Sequence, residues 1–287
     1  MKNRFWWKYF AVRRLLVLVV FLIPNLAWAE THVLKIGLLP VLSARVLLTN
    51  YQPLRAYLER ELQQPVELVT ATDFRTFHLS TIAGEYDAVV TAPHFARLAQ
   101  IDAKYIPLAS YRSANRAILI TAKDRPLRSL NDLRGQSLAI PDRHAMVVSQ
   151  ALYWLREQGM QAGTDYKLVE TPSLNSAAYS VQNHQSVLAV MAPTGMKQMP
   201  DSIKDSIQIF ANLPELPSSL IWMAHPRIAA QVPQIKSALF KLTTAIPEGA
   251  QFLEATGYVG LRDITSDEMK ALDPYAKELS GVLKARP

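Results

Sequence analysis

The chain has 287 residues, 31 basic and 24 acidic, a formal net charge of +7 and no cysteine. Without cysteines there is no disulfide framework, so the fold must rest on its apolar core. Five of the basic residues lie in the first 29; the other 258 carry 26 against 24, a net of +2, which excludes a bulk nucleic-acid footprint.

The chain starts with Lys2, Arg4, Lys8, Arg13 and Arg14, then an unbroken apolar run over 15–23, then Ala27-Trp28-Ala29. A basic region, a short apolar run and a small-x-small site make a secretory signal peptide over 1–29, cut after Ala29. The expected location is the periplasm. The apolar run is shorter than the roughly 20 residues of a membrane-spanning helix; the alternative is an uncut N-terminal anchor. No cysteine follows the run, so lipid attachment there is excluded.

From residue 32 strand-like and helix-like segments alternate. Strands are predicted over 32–40, 65–71, 86–92, 105–111 and 115–123, and helices over 50–62, 73–84 and 94–100. The helix over 50–62 puts Leu54, Tyr57, Leu58 and Leu62 on one face. A second series has strands over 136–141, 166–172 and 186–193, with helices over 129–135, 145–159 and 175–183. Strands over 206–214 and 220–226 follow, and the pattern is helical from Pro226 onward. This alternation predicts an α/β protein of two lobes with mostly parallel sheets. The chain passes between lobes near 111–118 and returns near 210–220.

The ends of the predicted strands carry the candidate binding groups. Ser43 either caps a helix or donates to a ligand oxygen. Asp73 reads as a helix cap, and Phe74 as a pocket wall or as core. Thr91 and His94 flank Ala92-Pro93 where a buried strand stops, and serve either as turn residues or as ligand contacts. There is no nucleotide-type phosphate loop, no H-E-x-x-H and no G-x-S-x-G, and the six histidines show no metal-like spacing. No catalysis, cofactor or metal is expected.

Three stretches in order then carry a likeness: "LKIGLLPVLSARVLLTNYQPLRAYLERELQQPVELVTATDF", "AGEYDAVVTAPHFARL" and "YRSANRAILITAKDRPLRSLNDLRGQSLAI". With "LNSAAYSVQNHQSVLAV" they resemble the phosphate/phosphite/phosphonate-type periplasmic binding proteins of ABC transporters over roughly 33–260. The resemblance implies a type II periplasmic binding protein fold with mixed, mostly parallel sheets and a hinge of two crossing strands. Lobe one would be 30–113 plus 214–287, and lobe two 114–213. It also implies a monomer that captures a small oxyanion for an ABC permease. The alternative use of the same fold is ligand sensing with a membrane sensor kinase or a respiratory complex. An enzyme on this scaffold, or a degenerate site with only an interaction role, are further rivals.

Tyr111 matches the family's hinge tyrosine before x-Ser, and is either structural or a ligand contact. Where the family has a Ser/Thr-rich turn, this chain has Asp142-Arg143-His144; Arg143 and His144 either anchor an anion there or are an exposed basic stretch beside a cap Asp. Asn175 either donates to the ligand or caps its helix, and Pro193-Thr194 end a strand suitably for pocket lining. Two departures remove polar groups: Phe95 stands where the family often has Tyr, and Val187 stands at an Asp position.

Overall fold

The computed structural model describes residues 32–42, 44–112, 115–216 and 218–284, the side chains of 194, 197 and 198 apart. The signal segment and Ser43 lie outside the described residues. One sheet joins β1 (Leu34–Leu38), β2 (Val66–Thr70), β3 (Ala88–Thr91), β4 (Ile106–Tyr111), β10 (Ile221–Ala224) and β11 (Leu261–Arg262), in the order β11-β4-β10-β3-β1-β2. The other joins β5 (Ile118–Ala122), β6 (Ser137–Ile140), β7 (Lys167–Glu170), β8 (Leu188–Met191) and β9 (Ile207–Asn212), in the order β7-β6-β8-β5-β9.

Strands β1, β2 and β3 are parallel, as are β6, β7 and β8. The edge strand β11 is antiparallel to β4, and in each sheet a strand inserted after a crossing runs against both neighbours, β10 between β3 and β4 and β5 between β8 and β9. The reason is topological. Both strands follow a crossing from the other lobe, and both begin beside the carboxyl end of a parallel strand. Ile221 opens β10 opposite Thr91, and Ile118 opens β5 opposite Met191. A chain arriving at that edge can only run back from it.

The parallel strands lead into helices that start at the same edge. Helices α1 (Ala44–Leu62), α2 (Phe74–Ile82) and α3 (Pro93–Ala103) follow β1, β2 and β3. In the second lobe α4 (Met146–Glu157), α5 (Leu174–Gln182) and α6 (Pro193–Gln198) follow β6, β7 and β8, with α7 (Asp201–Lys204) behind. The tail is α8 (Val232–Ala245), α9 (Pro247–Thr256), α10 (Ser266–Lys270) and α11 (Asp273–Lys284). Helix α1 starts before the predicted residue 50, because buried Leu47 and Tyr51 continue the face of Leu54 and Leu58 across Pro53. The tail is also not wholly helical: Leu261 and Arg262 pair with β4, a strand too short to show a period.

The first sheet is covered on both faces, as parallel strands require. Ile36, Leu38, Val90 and Trp222 pack with α1, α8 and α9 on one side; Val89, Met223, Phe77 and Phe95 pack on the other with Leu272, Ala276 and Leu279 of the tail. Helices α8 and α9 approach so closely that a Cβ on Gly249 would lie 1.6 Å from the Leu242 carbonyl oxygen. Asp87, the acid of the "YDAVV" segment, is a structural clamp. Its carboxylate accepts from Lys35 N at 2.8 Å and Arg227 Nε at 2.7 Å, tying β1 to the turn after β10.

Two crossing segments join the lobes side by side. Tyr111 N donates to Leu220 O, Leu216 N to Asn115 O and Leu213 N to Ala117 O, at 2.8–3.0 Å. The buried amide of Gln150, on α4, spans both crossings: its Oε1 accepts from Ala117 N at 2.6 Å and its Nε2 donates to Pro214 O at 2.7 Å. Losing both bonds leaves two buried backbone groups unpaired, at about 1–3 kcal/mol each. Gln150→Leu is therefore predicted to lower the unfolding free energy by about 2–6 kcal/mol, measured by urea denaturation. A loss below about 0.5 kcal/mol would mean that water replaces the amide and that the tie is dispensable.

Candidate functional site

The carboxyl edges of both sheets meet around the starts of α2, α3 and α4. Asp73 caps α2 in an extended conformation, its Oδ1 accepting from Thr76 N at 2.7 Å. Phe74, the next residue, packs its ring 6.2 Å from that of Phe95. Pro93 opens α3 with its φ already suited to a first helical turn. This fixes His94 inside the first turn, fully buried.

His94 links the lobes directly. Its Nε2 lies 3.0 Å from the carbonyl oxygen of His144. A carbonyl can only accept, so Nε2 carries the proton and Nδ1 is a bare acceptor. Nδ1 is buried and finds no hydrogen-bond partner among the described residues, and neither does the Thr91 hydroxyl at the end of β3. Opposite them, Asp142 shapes the turn into α4. Its Oδ1 accepts from the His144 backbone N–H at 2.7 Å and lies 2.9 Å from His144 Nδ1. Burial alone would raise the Asp142 pKa, but these bonds outweigh it and hold the carboxyl below its usual value.

The expected residues therefore separate. Phe74, Thr91, His94 and His144 gather at the junction of the lobes. Arg143 does not aim there as a free anchor: half-exposed, it holds Glu170 with Nε and Nη2 both 3.0 Å from Oε2, and its backbone N–H also donates to Glu170. The acid at the end of β7 uses up the guanidinium fork. Tyr111 is buried in lobe one with its ring stacked on Tyr258, centroids 4.0 Å apart. Asn175 sits in the first turn of α5 and is not its cap; Ser173 accepts from Ser176 N there. Thr194 lies in α6 with its side chain outside the described set, and Ser43 is outside it altogether.

Three residues join the site without having been singled out. His78, on α2, lies with its ring 5.4 Å from Phe95. Met146 starts lobe two's helix α4 yet packs in lobe one's core, in the cluster that contains Phe95. Gln150 lies one turn further on. The signal for Gln150 was available, a lone amide inside the apolar stretch "AMVVSQALYWL". Helix α11 adds a clasp behind the site: Asp273 meets Arg97 of α3 at 2.5 Å, Glu278 pairs with Arg156 of α4, and Tyr275 meets Tyr153 edge-on at 5.5 Å.

Burial disfavours charge on both inner histidines. It lowers His94 to about 3, further helped by His144 and His78 and opposed by the bond to the His144 carbonyl. Burial likewise lowers His78 to about 4, against the pull of Asp102. Both folded values lie below the unfolded value of about 6.5, so the unfolded chain binds these protons first as pH falls. Stability is then full above pH ~6.5 and falls by roughly 2 kcal/mol per histidine between pH 7 and pH 5. Urea unfolding at the two pH values measures the loss, and His94→Gln should shrink it by about half. An unchanged difference in that variant would show that His94 is not buried neutral.

Comparison with known proteins adds the context. The family model for the ABC transporter phosphonate periplasmic substrate-binding proteins matches residues 36–269. Among solved structures, XAC2383 from Xanthomonas citri bound to chloride ion superposes with a TM-score of 0.77 at 17% identity, over 87% of this chain and 98% of that one. PhnD1 from Prochlorococcus marinus in complex with methylphosphonate gives 0.71 at 13% identity, over 86% and 98%. The aliphatic sulphonate binding protein SsuA from Escherichia coli gives 0.63 at 13% identity, over 88% and 94%. At these identities the superpositions establish the shared two-lobed fold. By the match along most of its length, the chain belongs to the family of periplasmic substrate-binding proteins of phosphonate ABC transporters.

Proposed function

We propose that this chain captures a small oxyanion, of the phosphonate, phosphite or phosphate class, between its lobes and passes it to an ABC permease. The observation that carries this reading is the pair of buried, unpartnered polar atoms at the carboxyl edge of β3, Thr91 Oγ1 and His94 Nδ1: the hydroxyl can donate to a ligand oxygen, and the bare nitrogen can accept from the P–OH of a monoprotonated phosphonate, phosphite or phosphate. In open α/β sheets ligands bind beyond that edge, where helix N-termini present free N–H groups. The start of α3 supplies them here, since Pro93 and Ala92 leave it without a side-chain cap. Among the groups named above the proposed site offers no free cation, and its two carboxylates are each engaged at a helix start. His94 and His78 are neutral, Arg143 is engaged by Glu170, and Asp142 and Asp73 both face the junction. An anion would be held by the Thr91 hydroxyl, by helix-end N–H groups and by its own P–OH donating to His94 Nδ1.

The same reading divides the chain into a signal peptide over 1–29, lobe one over 30–113 and 214–287, and lobe two over 114–213. It makes the protein a monomer without catalytic chemistry, whose lobes close on the ligand as a population shift. The fold's other use, sensing for a membrane partner, shares every feature named here and differs only in what the closed form meets.

The test is a thermal-shift screen of residues 30–287 with inorganic phosphate, phosphite, methylphosphonate, methanesulfonate and sulfate. At about 100 times its dissociation constant a true ligand adds roughly 2.7 kcal/mol of stability. Thr91→Val and His94→Phe should each weaken the responding ligand about 10–100-fold, the range for a lost hydrogen bond to a charged group. No shift with any oxyanion would sink the proposal.

A further inference from the structure

A second opening lies at the same edge of lobe one, on the opposite face of the sheet from His94. It is a cavity of about 70 Å³ behind the β1–α1 loop, walled by Leu39, Val41, Leu42, Leu47, Tyr51 and Tyr258. A water needs roughly 10–15 Å³ on this measure, so the space suits a group of about five heavy atoms. Its walls are mostly aliphatic, which favours an apolar occupant. Burial, ahead of the neighbouring Tyr111 and Tyr258, holds the Tyr51 phenol un-ionised, and burial pushes Tyr258 up to about 12. The pocket therefore contains no charge.

Its position ties it to the proposed oxyanion site. Val90 and Leu220 also line the cavity, with Leu38, Ala255 and the uncharged polar Asn50 and Thr256. Val90 immediately precedes Thr91, and Leu220 immediately precedes Ile221, the register partner of Thr91. The Leu39 N–H donates to Val90 O at 3.0 Å, closing the floor. The cavity thus begins one residue from the unpartnered hydroxyl. A second observation points to an occupant: Val41 and Leu42 at the rim are 44% and 51% exposed, an apolar loop left uncovered at the end of a buried strand.

We infer that this cavity is a specificity subsite that takes a short apolar substituent of the ligand, so that the chain prefers oxyanions bearing an alkyl group of about three to five carbons. The inference rests on the oxyanion reading above. A ligand astride the carboxyl edge of β1 and β3 would place its head by Thr91 and His94 and its chain under Val41 and Leu42.

Titration calorimetry with methyl-, propyl- and pentylphosphonate, and with the matching alkanesulfonates, tests it. Affinity should rise roughly fourfold per added methylene as each is buried, and level off once the cavity is full. The ratio of pentyl to methyl affinity should collapse toward one in Leu47→Phe, which fills the space from α1. The same collapse is expected in Ala255→Leu, which fills it from the exposed side of α9 and keeps the test valid if the core variant unfolds. Binding of the methyl compound with no gain along the series, or a gain that survives in the folded filled variants, would overturn the subsite and leave the head-group site standing. Absence of binding by every compound would overturn both.

Discussion

One buried amide constrains the whole arrangement. Gln150 belongs to lobe two by its helix, yet it bonds the first crossing with its oxygen and the second with its nitrogen. Backbone pairs also join the two crossings. Because both are gripped from α4, any rotation between lobes must turn about that grip. Helix α4 also carries Met146 into lobe one's core and meets α11 through Tyr153 and Arg156. The helix is therefore the shared part of both lobes. Its first turn sits at the candidate site, and its second holds the joint.

This placement explains the character of the site. Groups forced together at the junction are desolvated, and desolvation removes charge. His78 and His94 stay neutral, and Asp142 keeps its charge only through its bonds to His144. Arg143, one residue away, escapes burial by turning outward to Glu170. A cation held inside would have needed a buried partner; paired at the rim it contributes little, since exposed ion pairs are worth about 0–1 kcal/mol. The site that results relies on preset donors and acceptors rather than on ion pairing.

Much of the architecture was readable from pattern. Buried runs such as "AVVT" and "LAVM" read as strands, and Asp73 read as a cap. The start of α1 was hidden because Pro53 suggests a boundary where the helix runs through. The strand β11 was hidden because two residues have no period. At the site, local sequence placed Thr91, His94 and Phe74 near a strand end or helix start. It gave no view of Glu170, 27 residues beyond Arg143, whose carboxylate decides where that arginine points. Nor could it separate Tyr111, which stacks inside lobe one, from a residue facing the crossing. Pairings over such separations depend on which strands become neighbours, and that follows from the crossings.

The insertion of β10 between β3 and β4 has a consequence for how the molecule assembles. Strands β5 to β9 are contiguous in sequence and can pair as soon as they emerge. The first sheet cannot: β3 and β4 are neighbours in the chain but are held apart by a strand about 110 residues later. Its central hydrogen bonds close a long loop, so they form late and slowly. Until β10 arrives, the buried edges of β3 and β4 stand open to any passing strand. The completed lobe two lies within that loop, and it brings the missing strand back to the edge where it belongs. Order of synthesis and order of pairing are opposed in lobe one, and that lobe is where the nascent chain is most exposed to aggregation.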